Sequence, residues 1–338
     1  MKNLQTDQIT FHQANLLSAK QNRFHSIDLF RGLAILGMVL ANYLAGVEWI
    51  SPWFKHAKDA GFTIIDLVAP MFIFAIGLTY GRSFKRRLER DGAGKTYQHF
   101  FTRFFAILGI GSLFSAGEVL LGADGQTINW GVLQAIGVAG LVTLCFIRTP
   151  TWLRLGIGLV ILTAYQFVLN AFWLNIVLAN PHGGLLGAIS WSTMLLLATV
   201  LADIFFSPHH GPRRLIGVSA LTVLAALLLT LWTPISKNRV SMPYVLLSLG
   251  LSGLIFSACH ILVEQFKLRS RWLVLWGRNP LLMYILHMFL LGIVYLSDVP
   301  TIYARAPVWL VVVEAAVLLG VLTWVAWWLN KKKIYFSV

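Results

Sequence analysis

Ten apolar runs separated by short polar stretches account for most of the chain: residues 26–47, 62–81, 100–121, 130–147, 152–174, 185–206, 214–232, 243–264, 276–297 and 307–330. Each approaches the roughly 20 residues that a helix needs to cross the hydrocarbon core of a bilayer. The pattern predicts an all-α, polytopic integral membrane protein of about ten transmembrane helices. No repeat of 20–50 residues and no long linker interrupts it, so residues 25–338 read as one helical membrane domain. Residues 1–24 show no apolar period and read as a cytoplasmic tail or a surface helix.

Composition agrees and then sharpens the topology. Of 338 residues, 57% are hydrophobic and 12% charged, against about 25% charged in soluble domains. The net charge of +14 suggests a nucleic-acid partner until the basic residues are placed along the chain. With the N-terminus inside, 22 of the 27 lysines and arginines fall on the inner side, and Lys55, Lys58, Lys237, Arg239 and Arg305 fall outside. That asymmetry is the positive-inside bias, which places both termini in the cytoplasm and leaves no charge to explain by nucleic acid. The first run lacks a small-residue cleavage pattern and is long enough to span, so it reads as an uncleaved first helix. Cys145 and Cys259 lie far apart in apolar runs, and no disulfide is expected. No metal is expected either: His182, His209 and His210 sit in Pro/Gly-rich turns on opposite sides of the membrane.

Polar residues inside spanning runs are costly unless paired or facing a cavity, so they mark candidate sites. Asn42 near the outer end of the first run and Asp66 near the start of the second flank a wet loop that carries His56. A histidine there can take or give a proton near neutral pH. Read structurally, His56 is a loop residue, Asn42 an interhelical hydrogen-bonding group and Asp66 the partner of a helix-end donor. Asp28 and Arg31, three apart on the first helix, can pair on one face. Arg82, Arg86, Arg103 and Arg278 gather on the inner side, where positive-inside bias alone would put arginines. Asn279 and Pro280 suit the start of a helix, and a helix start can also hold an anion. Tyr284 and His287 lie one turn apart within the membrane, and Glu118 and Gln134 are further polar candidates. Pro234–Asn238 with Arg239 forms an outer loop on the side of His56.

Several ordered motifs coincide with these residues. They are DLFRG at Asp28–Gly32, the Asn42-Tyr43 pair, WFKHA at Trp53–Ala57, GFTIIDLVAPMFIFAIG at Gly61–Gly77 and GVLQ at Gly131–Gln134. Further along stand PISKN at Pro234–Asn238, GRNPLLMYILH at Gly277–His287 and KKKIYF at Lys331–Phe336. On these motifs the chain, from about residue 24 onward, resembles the transmembrane acetyltransferase family typified by lysosomal heparan-alpha-glucosaminide N-acetyltransferase and its bacterial relatives.

The resemblance implies a transmembrane acyltransferase-like fold over residues 25–338, acetyl-CoA as cytoplasmic co-substrate, and a sugar or glycan acceptor on the outer side of a bacterial inner membrane. His56 would then act as general base or as a transient acetyl carrier, Asn42 would orient the donor carbonyl or stabilise the oxyanion, and Asp66 would orient His56 or bind the acceptor. Arg31, Arg82, Arg103, Arg278 and Asn279 would hold the coenzyme phosphates, with Tyr284 and His287 lining its cavity. Trp49, Trp53 and Phe54 are placed to stack on a sugar. The lipid bilayer is the other partner, and a homodimer is compatible with the sequence. A transporter or flippase for a sugar-linked substrate is the alternative that the buried Asp28, Arg31, Asp66 and His287 admit, although no inverted repeat supports it.

Overall fold

The computed structural model describes residues 24–120, 129–268, 270–295 and 301–335. The expected N-terminal tail, but for residue 24, and the closing Phe336 lie outside the described residues, as does the side chain of Glu118. Helices α1 (His25–Ala45), α2 (Val68–Leu120), α3 (Val132–Phe146), α4 (Thr151–Val168), α5 (Leu174–Leu178), α6 (Gly184–Phe205), α7 (Gly211–Leu229), α8 (Met242–Glu264), α9 (Arg271–Arg278), α10 (Pro280–Tyr295) and α11 (Val308–Lys331) build the molecule. Among the described residues there is no strand. The protein is an all-α polytopic membrane protein.

Among the described residues, seven helical stretches are long and apolar enough to cross a membrane, or eight if α9 and α10 count as one broken span. The ten apolar runs nevertheless all have helical counterparts, because two of them share α2 and one is short. Gly92, at φ 78° and ψ 173°, breaks α2 into two arms. The Tyr80 and Phe100 rings stand 5.1 Å apart across that break, whereas 20 residues of straight helix would put them about 30 Å apart. The α3 run yields only 15 helical residues. The run expected at 276–297 is not a straight span. It breaks by 93° between α9 and α10, at Asn279 (φ −129°, ψ 56°), because the proline that follows disfavours helical geometry in the residue before it.

α6 is the most enclosed helix, whereas α7 and α11 expose most of their apolar positions, as expected of elements at a lipid boundary. Phe30, Phe74, Phe205 and Phe256, all buried, interlock edge to face at centroid separations of 4.9–5.8 Å and join α1, α2, α6 and α8. α9 lies against α1 by backbone contact: a Cβ on Gly32 would come 1.9 Å from the Leu273 carbonyl oxygen, and one on Gly277 would come 1.9 Å from that of Asp28. Small residues permit such approach where apolar lipid offers no hydrophobic drive to bring helices together. α1 is thereby fixed as a spine, with Arg31 and Asn42 about 16 Å apart along it.

Candidate functional site

The loop between α1 and α2 is held by a clamp of charges and hydrogen bonds. The Asp59 carboxylate takes bonds from the Arg239 guanidinium and from Ser236 Oγ at 2.9 Å. Asn238 Nδ2 donates to the Lys58 carbonyl, and Gly61 N donates to the Ile235 carbonyl at 2.8 Å. Arg239 holds the Asp59 carboxyl below the usual carboxylate range. The PISKN loop thus sits directly on the loop that carries His56.

His56 Nδ1 lies 2.7 Å from Asp66 Oδ1. Asp66 is buried, while the His56 side chain is 43% exposed at the cavity mouth. The other carboxylate oxygen, Oδ2, accepts from Thr63 N and Thr63 Oγ1, both at 3.0 Å, and from Ala57 N at 3.3 Å. The Thr63–Asp66 part is a helix-start capping arrangement, readable in the sequence as T-x-x-D, and makes Asp66 the partner of a helix-end donor as well as of His56. Both oxygens of Asp66 are therefore committed, and the bond at Nδ1 leaves the His56 ring with Nε2 for proton exchange.

Asn42 Nδ2 stands 3.0 Å from His287 Nε2, and His287 Nδ1 is 3.3 Å from the Met283 carbonyl oxygen. The carbonyl can only accept, so Nδ1 carries the proton and Nε2 accepts from Asn42. His287 thus belongs with Asn42 near the C-terminal end of α1, and Asn42 and Tyr284 line one cavity. That cavity, of about 350 Å³, is also lined by His56, Asp66, Gln134, His182 and Lys237. Gln134 Nε2 donates to Ser115 Oγ at 2.8 Å, tying α3 to the second arm of α2. Trp49, Trp53 and Phe54 are exposed and do not line the cavity.

A second cavity, of about 440 Å³, opens at the other end of α1. Arg31, Arg82, Arg86, Arg103 and Arg278 line it, with Asp28 as the only acidic lining residue among those described. Arg31 donates to Thr79 Oγ1 at 2.7 Å, Arg82 packs 4.2 Å over the Phe206 ring, and Arg278 bonds Asn330 Oδ1. Arg103 Nε and Arg278 Nε are buried without a partner. Asn279 is buried beside this group but does not line the cavity, and its Nδ2 donates to the Ile334 carbonyl at 3.2 Å. Leu133, at the start of α3, lines both cavities.

Residues 23–289 match the family model described as heparan-alpha-glucosaminide N-acetyltransferase, catalytic. The chain belongs to this family. Curated relatives named heparan-alpha-glucosaminide N-acetyltransferase include one from Homo sapiens, 36% identical over 134 residues, and one from Mus musculus, 33% identical over 138 residues. These alignments cover 37% and 39% of the chain. They span about a fifth of the relatives' own length, 19% and 20%. Within the heparan-alpha-glucosaminide N-acetyltransferase catalytic family, this chain contributes the two lined cavities just described.

Two participants escaped the sequence reading. Lys237 was visible only as an outer-loop cation and His182 only as a turn histidine, and no local pattern signals that folding brings both to the cavity of His56. Among the described residues, no cluster of three or more His, Cys, Asp or Glu groups is placed to hold a metal.

Proposed function

We propose that this protein is a membrane acetyltransferase that takes an acetyl group from cytoplasmic acetyl-CoA and delivers it to an amine or hydroxyl of a sugar or glycan on the outer side of a bacterial inner membrane. Residues 25–338 form the transferase domain, residues 1–24 a cytoplasmic tail, and both termini are cytoplasmic. The observation that carries the reading is the bonded His56–Asp66 pair on a cavity whose wall, at Leu133, is shared with an arginine-lined cavity.

The arginine-lined cavity fits a coenzyme. Guanidinium forks match phosphate oxygens in two-point contacts, and the unpartnered Nε groups of Arg103 and Arg278 are donors of the required kind. Arg31 and Arg82 complete the positive lining, and Asn279 supports it from behind through the chain end. When bound, acetyl-CoA supplies the thioester whose carbonyl is attacked. Passage past Leu133 brings that group to Asn42, Tyr284 and His287. His56 Nε2 takes the proton from the attacking amine or hydroxyl as the new C–N or C–O bond forms, and Asp66 holds the ring and stabilises its positive charge. The thioester C–S bond then breaks, with the proton passing to the departing coenzyme A sulfur. Asn42, fixed through His287, offers its amide to the developing oxyanion.

The test is a titration of purified protein with acetyl-CoA and with an unrelated nucleotide, followed by transfer of labelled acetyl to amino sugars across proteoliposomes. Specific binding with transfer that H56A abolishes is expected. Failure of folded protein to bind acetyl-CoA overturns the reading.

A further inference from the structure

We infer that the acceptor carries an anionic group beside the group that is acetylated, and that Lys237 binds it. The inference rests on the transferase reading above and adds the charge class of its acceptor.

Lys237 is 6% exposed and lines the cavity shared by His56 and Asp66. No described residue forms a hydrogen bond or ion pair with its ammonium. Asp66, the one carboxylate on that cavity's lining among the described residues, is engaged by four donors from His56, Ala57 and Thr63 and makes no hydrogen bond to Lys237. A largely buried lysine whose ammonium is bonded to no counter-ion is destabilising, even with the Asp66 charge nearby, and buried charges in folded proteins are usually paired and hydrogen-bonded. His182, on the same cavity, carries a buried polar atom without a partner, Nδ1.

The backbone around Lys237 is built to hold it there. Ser236, Asn238 and Arg239 on either side are each bonded to the His56 loop. Val240 N donates to the Lys237 carbonyl at 3.1 Å, closing a turn in which Val240 itself adopts φ 47°. A β-branched residue in the left-handed region is strained, and such strain persists only where surrounding contacts impose it. The anion that fits is a carboxylate or phosphate on a sugar, placed so that its amine or hydroxyl reaches His56.

Binding of glucosamine, muramic acid and glucosamine 6-phosphate to the purified full chain, read by titration calorimetry beside acetyl transfer to each, decides the matter. At least one of the two anionic sugars is expected to bind about thirtyfold tighter than glucosamine, the usual scale for a buried charged pair. Whether the carboxylate or the phosphate is favoured identifies the anion. K237M and K237Q, shown folded by their melting curves, are expected to erase the preference, and K237R to retain part of it. Equal binding of the three sugars, binding of none, or an undiminished preference in K237M overturns the inference. Binding is read without chemistry, so preferential binding with no acetyl transfer counts against the transferase reading and leaves the Lys237 site standing.

Discussion

Asp66 gives one carboxylate oxygen to His56 at 2.7 Å and the other to the start of its own helix, so a single buried side chain ties a catalytic candidate to the fold. Replacing His56 by alanine removes the base and is expected to abolish transfer while leaving acetyl-CoA binding intact. D66N keeps the shape but removes the charge that supports a protonated ring. Its kcat should fall roughly 10²–10⁴-fold with little change in donor affinity, measured by steady-state kinetics beside calorimetry. Unchanged turnover in either variant would remove the pair from the chemistry.

Asn42 and His287 form the second coupled pair. N42A should lower kcat by about 10²–10³-fold, the scale for losing an oxyanion donor. H287A frees the Asn42 amide from its acceptor and should follow N42A, whereas H287Q, whose side-chain oxygen still accepts, should recover part of the rate. A rate in H287A equal to wild type would show that Asn42 needs no such positioning.

The arginine cavity predicts a separate phenotype. R103A and R278A should each weaken acetyl-CoA binding about 10- to 100-fold, the range for hydrogen bonds to charged groups. R103K should recover only part of it, because an ammonium lacks the two-point fork. Dissociation constants measured in detergent at fixed salt check this, and an unaltered value would take the residue out of the phosphate site.

Close backbone approach makes Gly277 and Gly32 sensitive to a single methyl group. G277A places a Cβ where the Asp28 carbonyl oxygen already sits, so α9 must move away from α1. The expected result is a lower melting temperature and less monodisperse protein by size-exclusion chromatography. G94A, where a Cβ would meet nothing within 4 Å, serves as the control.

Lys237 should also leave a mark on stability. Burial pulls its ammonium down from the ordinary lysine value to about 8, opposed by the negative charge of Asp66. His56 and His182 face it from the neighbouring loops. With the folded value below the unfolded one, the unfolded chain binds more protons between pH 8 and about 10.5, so stability rises with pH across that window. K237M should therefore melt above wild type at pH 7, with the gap closing between pH 8 and 10.5. A gap independent of pH would argue against a buried charge.

Hydrophobic run length by itself determined the helical class and the ten helical segments, because a bilayer requires about 20 apolar residues and self-satisfied backbone whatever the packing. The sequence also named both candidate groups, since polar residues in apolar runs stand out individually. Pairing was left to the tertiary structure. Tyr284 and His287 follow Arg278 closely in sequence, yet the break at Asn279 turns α10 away and brings them to Asn42, over the far cavity. The fold of α2 at Gly92 is of the same kind: one φ angle converts a continuous helix into a hairpin and returns Arg103 to the end that holds Arg82. Lys237 shows the limit most clearly. Its neighbours in the chain describe an exposed loop, and only the docking of that loop through Arg239 and Asp59 removes the ammonium from water. Local periodicity records what each segment buries, whereas desolvation of a single charge depends on contacts made 180 residues away.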